Sequence, residues 1–170
     1  MTICTGFGAV QARAPLTPMR FERRALRADD VAIAIGYCGV CHSDAHQVHN
    51  DWNNTVYPCI PGHEIVGKVT AVGSSVSRFK VGDQVAVGCL VDSCQQCTPC
   101  TEHQEQLCAK GPTATYNGKD RHSGEITYGG YADQIVVREQ FVLRMPAGLD
   151  PAQAAPLLCA GITVWNPMRR

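Results

Sequence analysis

The sequence carries no surplus of either charge. Fifteen basic residues balance fifteen acidic ones over 170 positions, so neither a nucleic acid nor an anionic membrane surface is favoured as a partner. It also lacks any apolar run long enough to span a bilayer. The amino-terminal stretch MTICTGFGAVQARAPLTPMRF has no continuous apolar core behind a cluster of positive charge and no cleavage-type segment. No secretory leader is read from it, and a cytoplasmic location is expected. No internal repeat is present either.

What the chain does have is cysteine, ten of them. A chain of this length can bury a core without cross-links. In a reducing compartment, closely spaced thiols point to metal binding or chemistry rather than to structural disulfides.

The first 150 residues read as short strands broken by glycine and proline: VAIAIGY from Val31, EIVGKVTAVG from Glu64, QVAVGC from Gln84, then YADQIVV and FVLRM. This predicts a mainly β fold, an irregular barrel with short helices and one metal-binding loop. After Pro146 the character changes. Asp150 before Pro151 has the form of a helix N-cap with proline at the first helical position, and Pro156 should strain or kink the helix that follows. Residues 1–150 are therefore expected to form one domain, with 151–170 a helix leading out of it.

In DSCQQCTPCTEHQEQLC, the cysteines at 94, 97, 100 and 108 are separated by two, two and seven residues. That spacing lets one compact loop wrap four sulfurs around a tetrahedral ion, and an all-thiolate shell suits zinc. Ferredoxin-type iron–sulfur spacings differ from it and carry a following proline that is missing here. With Cys94, Cys97, Cys100 and Cys108 filling every coordination position, such a site is structural and leaves no room for a substrate. Chemistry has to be sought elsewhere.

A second group lies upstream, in CGVCHSDAH from Cys38 to His46 and PGHE from Pro61 to Glu64. The ordered series CGVCHSD, YPCIPGHEIVG, the four-cysteine loop, GGYADQIVV and APLLCAGIT resembles the medium-chain zinc-dependent alcohol dehydrogenases. Within them it is most similar to the cinnamyl-alcohol-dehydrogenase-like branch, which interconverts aldehydes and alcohols with NADP(H). The resemblance runs from about residue 30 to 168. It implies a GroES-like barrel and makes Cys41, His63 and Cys159 the ligands of a second, catalytic zinc, giving two zinc ions per chain.

Further roles follow from the resemblance. Ser43 would stand beside the reacting oxygen and His46 would relay its proton outward, although the Ser43 hydroxyl could equally cap the segment SDAHQVH. Asp44 and Glu64 are similar to acidic neighbours that fix or balance the metal ligands, with a solvated strand-start carboxylate the alternative for Glu64. His42 would be a weak contact for the cofactor pyrophosphate, and Trp52 could line the substrate pocket. Cys4, Cys38, Cys59 and Cys89 are expected to be ordinary buried or half-buried thiols.

The family's dinucleotide domain has no counterpart here. No G-x-G-x-x-G stands between a strand and a helix, and GFGAVQ from Gly6 lacks the third glycine. The expectation is the catalytic portion of an alcohol dehydrogenase or aldehyde reductase, truncated before its Rossmann domain and not competent alone. Its partner is a small alcohol or aldehyde, its nicotinamide more often NADP(H) than NAD(H), and its oligomeric state is open. The alternatives are a non-enzymatic zinc-binding or interaction module and a CxxC thiol redox protein.

Overall fold

The computed structural model describes residues 2–169. Nine strands and four short helices follow one another as β1 (Thr2–Gly8), β2 (Thr17–Arg23), β3 (Asp30–Cys38), α1 (His42–His49), β4 (Ile65–Val72), β5 (Gln84–Val87), β6 (Leu90–Asp92), α2 (Thr98–Thr101), β7 (Thr113–Ala114), β8 (Gln134–Arg138), β9 (Val142–Arg144), α3 (Pro151–Ala154) and α4 (Ala160–Met168). The central sheet has the order β8-β3-β4-β5-β9 with every neighbouring pair antiparallel. It curls into half a barrel, and the hairpin β1-β2 and the short pair β6-β7 complete the body.

Period-two alternation explains the core. Val31 and Ile33, Val85 and Val87, and Ile135 and Val137 are inward pairs two residues apart, and with Ile65, Val69 and Val142 they form one cluster closed by Phe79 and Val91. β-Branched side chains dominate because they pack well on a pleated surface. The residues between them on β4 and β5, Val66 and Ala86, face the other way and pack with Ala155, Met145 and Leu158. The 151–158 segment thus docks on the outer face of the sheet.

The helical start expected at Asp150 is present, since its carboxylate accepts a hydrogen bond from the Gln153 amide at 3.0 Å. Pro156 has the foreseen effect as well. The chain leaves α3 for a 3-10 turn over Ala155–Leu158 and restarts as α4 at Ala160. Cys159 sits at this break.

Strand pairing decides what meets at one end of the sheet. Cys38 on β3 is the register partner of Ile65 on β4, and Ile65 in turn pairs with Val87 on β5. Residues just after β3, just before β4 and just after β5 are therefore neighbours in space. A β-bulge between Ile35 and Tyr37 sharpens the twist of β3 as it approaches that end. Among the described residues no helix is long and apolar enough to cross a membrane.

Candidate metal centres

The loop between β6 and β7 is long, and from Ser93 to Pro112 its buried residues are Ser93, Cys100 and Cys108. So little burial cannot order twenty residues by itself. The four cysteine sulfurs do come together, all within 4.8 Å of one another. Cys94 and Cys100 are 3.8 Å apart and Cys97 and Cys100 3.5 Å. A tetrahedron with metal–sulfur bonds of about 2.3 Å has sulfur–sulfur edges of about 3.8 Å, so the cage fits zinc.

Backbone amides surround these sulfurs. Cys97 N–H donates to Cys94 Sγ at 3.4 Å, Cys94 N–H to Cys108 Sγ at 3.5 Å, and Ala109 N–H to Cys97 Sγ at 3.4 Å. Hydrogen bonds from the Gln96 and Cys97 amides bring the Cys94 thiol down to about 6, and those from Ala109 and Cys100 lower Cys97. For Cys100, hydrogen bonding with Ser93 is outweighed by burial and by Cys97, and its thiol goes up to about 11. The shifts run in opposite directions within one cage, as expected where neighbouring thiols compete to ionise in a space that a cation would neutralise.

The second cluster is assembled by the sheet end. Cys41 precedes α1, His63 and Glu64 precede β4, and Cys159 arrives from the helical break docked beside Gly88. One ligand atom from each of Cys41, His63, Glu64 and Cys159 lies within 4.8 Å of the others. The two sulfurs are 3.9 Å apart, again close to the tetrahedral edge. His63 is buried and gives Nδ1 to Asp44 Oδ1 at 3.1 Å, which leaves Nε2 for the thiols.

Electrostatics favour a cation here too. Burial tends to raise the Cys41 thiol, but hydrogen bonds from the Ser43 amide and hydroxyl, from His63 and from Cys159 outweigh it and hold it below the ordinary thiol value. Cys159 is pushed up to about 12 by burial and then by Cys89 and Cys41. Two sulfurs this close do not both ionise without positive charge between them. Glu64 is also unsatisfied: its Oε1 accepts a long 3.4 Å bond from the Ala160 amide, while Oε2 is buried without a partner among the described residues. Two thiols and an imidazole form the donor set of an open metal site, and the orphaned carboxylate oxygen beside them adds negative charge that a cation would balance.

Two glycines permit this packing. A Cβ on Gly39, in the CGVC turn, would stand 2.1 Å from Glu64 Oε2. Gly62, in PGHE, holds φ at +102°, a left-handed conformation, and a Cβ there would meet the Tyr131 ring at 2.7 Å.

Asp44 organises the cluster. Its Oδ2 accepts from Cys41 N–H at 2.9 Å and Tyr131 O–H at 3.0 Å, and its Oδ1 from Gly62 N–H at 3.0 Å and from His63. Burial would raise its pKa, but His63 and the Cys41 and Gly62 amides together hold it below the usual carboxylate value. His63 is in turn raised, since Asp44 outweighs the loss of hydration.

Above the cluster opens a cleft of about 220 Å³ lined by Ser43, Gln47, Trp52, His63, Cys89, Thr115, Tyr116 and Cys159, with Ala114 at its edge. Trp52 is half exposed on this wall. Ser43 faces the same space, but it does not cap α1. The N-cap is Cys41 and Ser43 lies in the first turn. His46 is one helical turn outward, set between the tilted rings of His42 at 4.6 Å and Trp52 at 5.4 Å, with Nδ1 on Asp51 Oδ2 at 2.9 Å. No hydrogen bond joins Ser43 to His46 among the described residues. His42 is exposed and is not among the residues that line the cleft.

Glu64 is 1% exposed, which excludes the solvated strand-start reading. Cys4 and Cys59 are buried and Cys38 half-buried, as expected, but Cys89 is exposed and opens into the cleft. Sequence reasoning also passed over Thr115, Tyr116 and Tyr131. These lie in TATYNG and GGYADQ, where nothing local marks them, and only the pairing of β6 with β7 and the docking of the 129–131 segment bring them in.

Comparison with known proteins identifies the fold. Residues 27–147 match the alcohol dehydrogenase GroES-like domain. Probable mannitol dehydrogenase 1 of Stylosanthes humilis is 53% identical over 164 residues, 96% of this chain and 46% of its own length. The cinnamyl alcohol dehydrogenase SbCAD4 from Sorghum bicolor superposes with a TM-score of 0.96 at 45% identity, covering 99% of this chain and 48% of the other. The cinnamyl alcohol dehydrogenase from Helicobacter pylori, solved with NADP(H), gives 0.95 at 44% with the same coverage. The chain thus spans about half the length of the relatives it matches. It belongs to the alcohol dehydrogenase GroES-like domain family.

Proposed function

We propose that this chain is the metal-binding catalytic portion of a zinc-dependent alcohol dehydrogenase or aldehyde reductase. In this reading Cys41, His63 and Cys159 hold a catalytic zinc, and Cys94, Cys97, Cys100 and Cys108 hold a structural one. The observation that carries it is the convergence of two thiols and an imidazole, from positions 41, 63 and 159, beneath a cleft able to take a small molecule. Three protein ligands leave one position open, in contrast to the closed four-sulfur cage.

A zinc ion bound there supplies Lewis acidity, polarising the oxygen of an alcohol or aldehyde. The chain's own groups do the rest. Asp44 holds His63 in one tautomer with Nε2 directed inward. The Ser43 hydroxyl faces the cleft, where it takes or gives the substrate proton, and His46 at the mouth passes it to solvent. Trp52 and Tyr116 wall the substrate and exclude water from one side. Residues 1–150 form the body of this domain, and 151–170, which dock on its sheet and bring Cys159 to the site, lead toward a nicotinamide-binding domain. His42, exposed at the start of α1, is a weak contact for a cofactor phosphate.

The relative solved with NADP(H) supports NADP(H) as the nicotinamide, and the relatives' names support an aromatic or polyol alcohol as substrate. The expected compartment is the cytoplasm.

Metal substitution tests the reading. The cobalt-loaded chain should bind two ions and show thiolate charge-transfer bands. Added imidazole should shift the visible bands of the open site alone, and Cys159→Ser should remove the responsive ion. One ion per chain, or bands indifferent to imidazole, would overturn it.

A further inference from the structure

The segment Gly129–Tyr131 is tied along its length to the loop that carries His63. Gly129 N–H donates to Ile60 O at 2.7 Å, Gly130 N–H to Gly62 O at 2.8 Å and Tyr131 N–H to Pro61 O at 3.0 Å. On its other side the Tyr131 carbonyl accepts from Phe7 N–H of β1 at 2.7 Å. The backbone at 131 is thus clamped between the first strand and the PGHE loop, and the side chain has little freedom. Its ring lies against Gly62 and its hydroxyl reaches Asp44 Oδ2 at 3.0 Å, across 87 residues of sequence.

We propose that Tyr131 is a positioning residue for the open metal site, holding Asp44 so that Asp44 can hold both the Cys41 backbone and the His63 ring. The carboxylate has four donors and must present one oxygen to each half of the cluster. Cys41 N–H and Tyr131 O–H meet one oxygen, and Gly62 N–H and His63 Nδ1 the other. Without the hydroxyl, Oδ2 keeps one bond and the carboxylate can rotate about its last torsion, which is soft. Rotation moves the acceptor away from His63. The tyrosine therefore acts through Asp44 on the imidazole without touching the metal or the substrate.

The proposal rests on the reading of Cys41, His63 and Cys159 as a metal site, and the test separates the two. Zinc affinity is measured by chelator competition on the full chain, with the four-cysteine site as internal reference. Tyr131→Phe keeps the ring over Gly62 and removes only the hydroxyl. It should weaken the open site about 10- to 100-fold, leave the four-cysteine site unchanged and blunt the ligand-field bands of bound cobalt. Asp44→Asn should weaken the same site. In that background Tyr131→Phe should add little, because the two act in series. A purely space-filling Tyr131 predicts unchanged affinity in Tyr131→Phe, and independent action predicts additive losses; either result overturns the proposal. Absence of a second zinc in the unsubstituted chain overturns the underlying reading as well.

Discussion

Substituting Gly39 by alanine tests how tightly the second cluster is packed. The added Cβ would lie 2.1 Å from Glu64 Oε2, 3.0 Å from Glu64 Cβ and 3.2 Å from Glu64 Cδ, so the whole side chain has to give way. At an exposed glutamate that would cost little, since a flexible end swings aside. Glu64 is 1% exposed, its backbone carbonyl takes the Gly39 amide at 2.9 Å, and its Oε1 takes the Ala160 amide beside Cys159. Overpacking of this kind costs about 1–3 kcal/mol, and a lost hydrogen bond to a charged group about 1.5–3 kcal/mol. Together that is about 2.5–6 kcal/mol, divided between folding and metal binding.

If about 1.4–3 kcal/mol falls on the metal, affinity at the open site drops about 10- to 150-fold. A remaining 1–3 kcal/mol on folding lowers the melting temperature by about 2–12 °C for a chain of this size. Calorimetry of the metal-free and zinc-loaded protein separates the shares. Shortening the acid in Gly39→Ala/Glu64→Asp draws the carboxylate back from the new methyl and should recover more than half of the loss in zinc affinity. Unchanged melting and unchanged zinc affinity in Gly39→Ala would refute the packing argument. Failure of the double variant to recover would show that Glu64 is not what the methyl strikes.

Other consequences are as direct. Cys97→Ser should release one zinc and speed proteolytic cleavage within residues 101–111, where the exposed loop has little other burial, while far-ultraviolet circular dichroism of the sheet persists; limited proteolysis reads this, and an unchanged cutting rate counts against the cage as the ordering element. For Asp120, burial would raise the pKa, but the two-pronged pair with Arg27 at 2.7 and 3.0 Å and the Ser123 and His122 amides hold it well below the usual carboxylate range. A depressed folded-state pKa contributes stability that is present above the unfolded value near 3.9 and is lost as pH falls below it, so Asp120→Asn should lower stability at pH 7 and flatten the acid limb of melting temperature against pH. An acid limb unaltered in the variant would contradict this. The 170-residue chain incubated with NADPH and an aromatic aldehyde should show no zinc-dependent oxidation of the nicotinamide, since the strand pairs of the described residues are all antiparallel and offer no βαβ unit to hold the hydride donor against the substrate; measurable turnover would sink that expectation.

The strands of the central sheet could be read from sequence because β3, β5 and β8 place Val or Ile inward at every second position and β4 and β9 contribute Ile65, Val69 and Val142. The hairpin β1-β2 could not. Its burial alternates just as regularly, but the buried positions of β1 are Cys4, Gly6 and Gly8, which carry almost no hydrophobic signal. The two glycines are required, since a Cβ added at Gly6 would stand 2.7 Å from the Tyr131 carbonyl oxygen and one at Gly8 2.8 Å from that of Cys59. The inward residue closing β2 is Arg23, buried with its guanidinium on the carbonyls of Gln134, Tyr128 and Gly129. A charged side chain that satisfies three carbonyls of another segment reads in sequence as a surface residue.

The two metal clusters differ in the same way, and this has a consequence for how each is lost. Cys94, Cys97, Cys100 and Cys108 lie within fifteen residues, so their spacing alone points to a shared ion, and the amides that cradle the sulfurs come from the same loop. Cys41, His63 and Cys159 meet because β3, β4 and β5 end together and because Ala155 and Leu158 dock on Val66 and Ala86. No spacing rule contains that, and only resemblance to a family supplied it in advance. The open site therefore exists only while the sheet and the outer docking both hold, whereas the four-sulfur loop needs only itself and its β6-β7 base. On titration with urea, the zinc at Cys41, His63 and Cys159 should be released in step with the loss of the sheet or ahead of it. The four-cysteine zinc should be the later of the two to reach a chelator, and release in the opposite order would mean that the open site is held by something more local than the sheet.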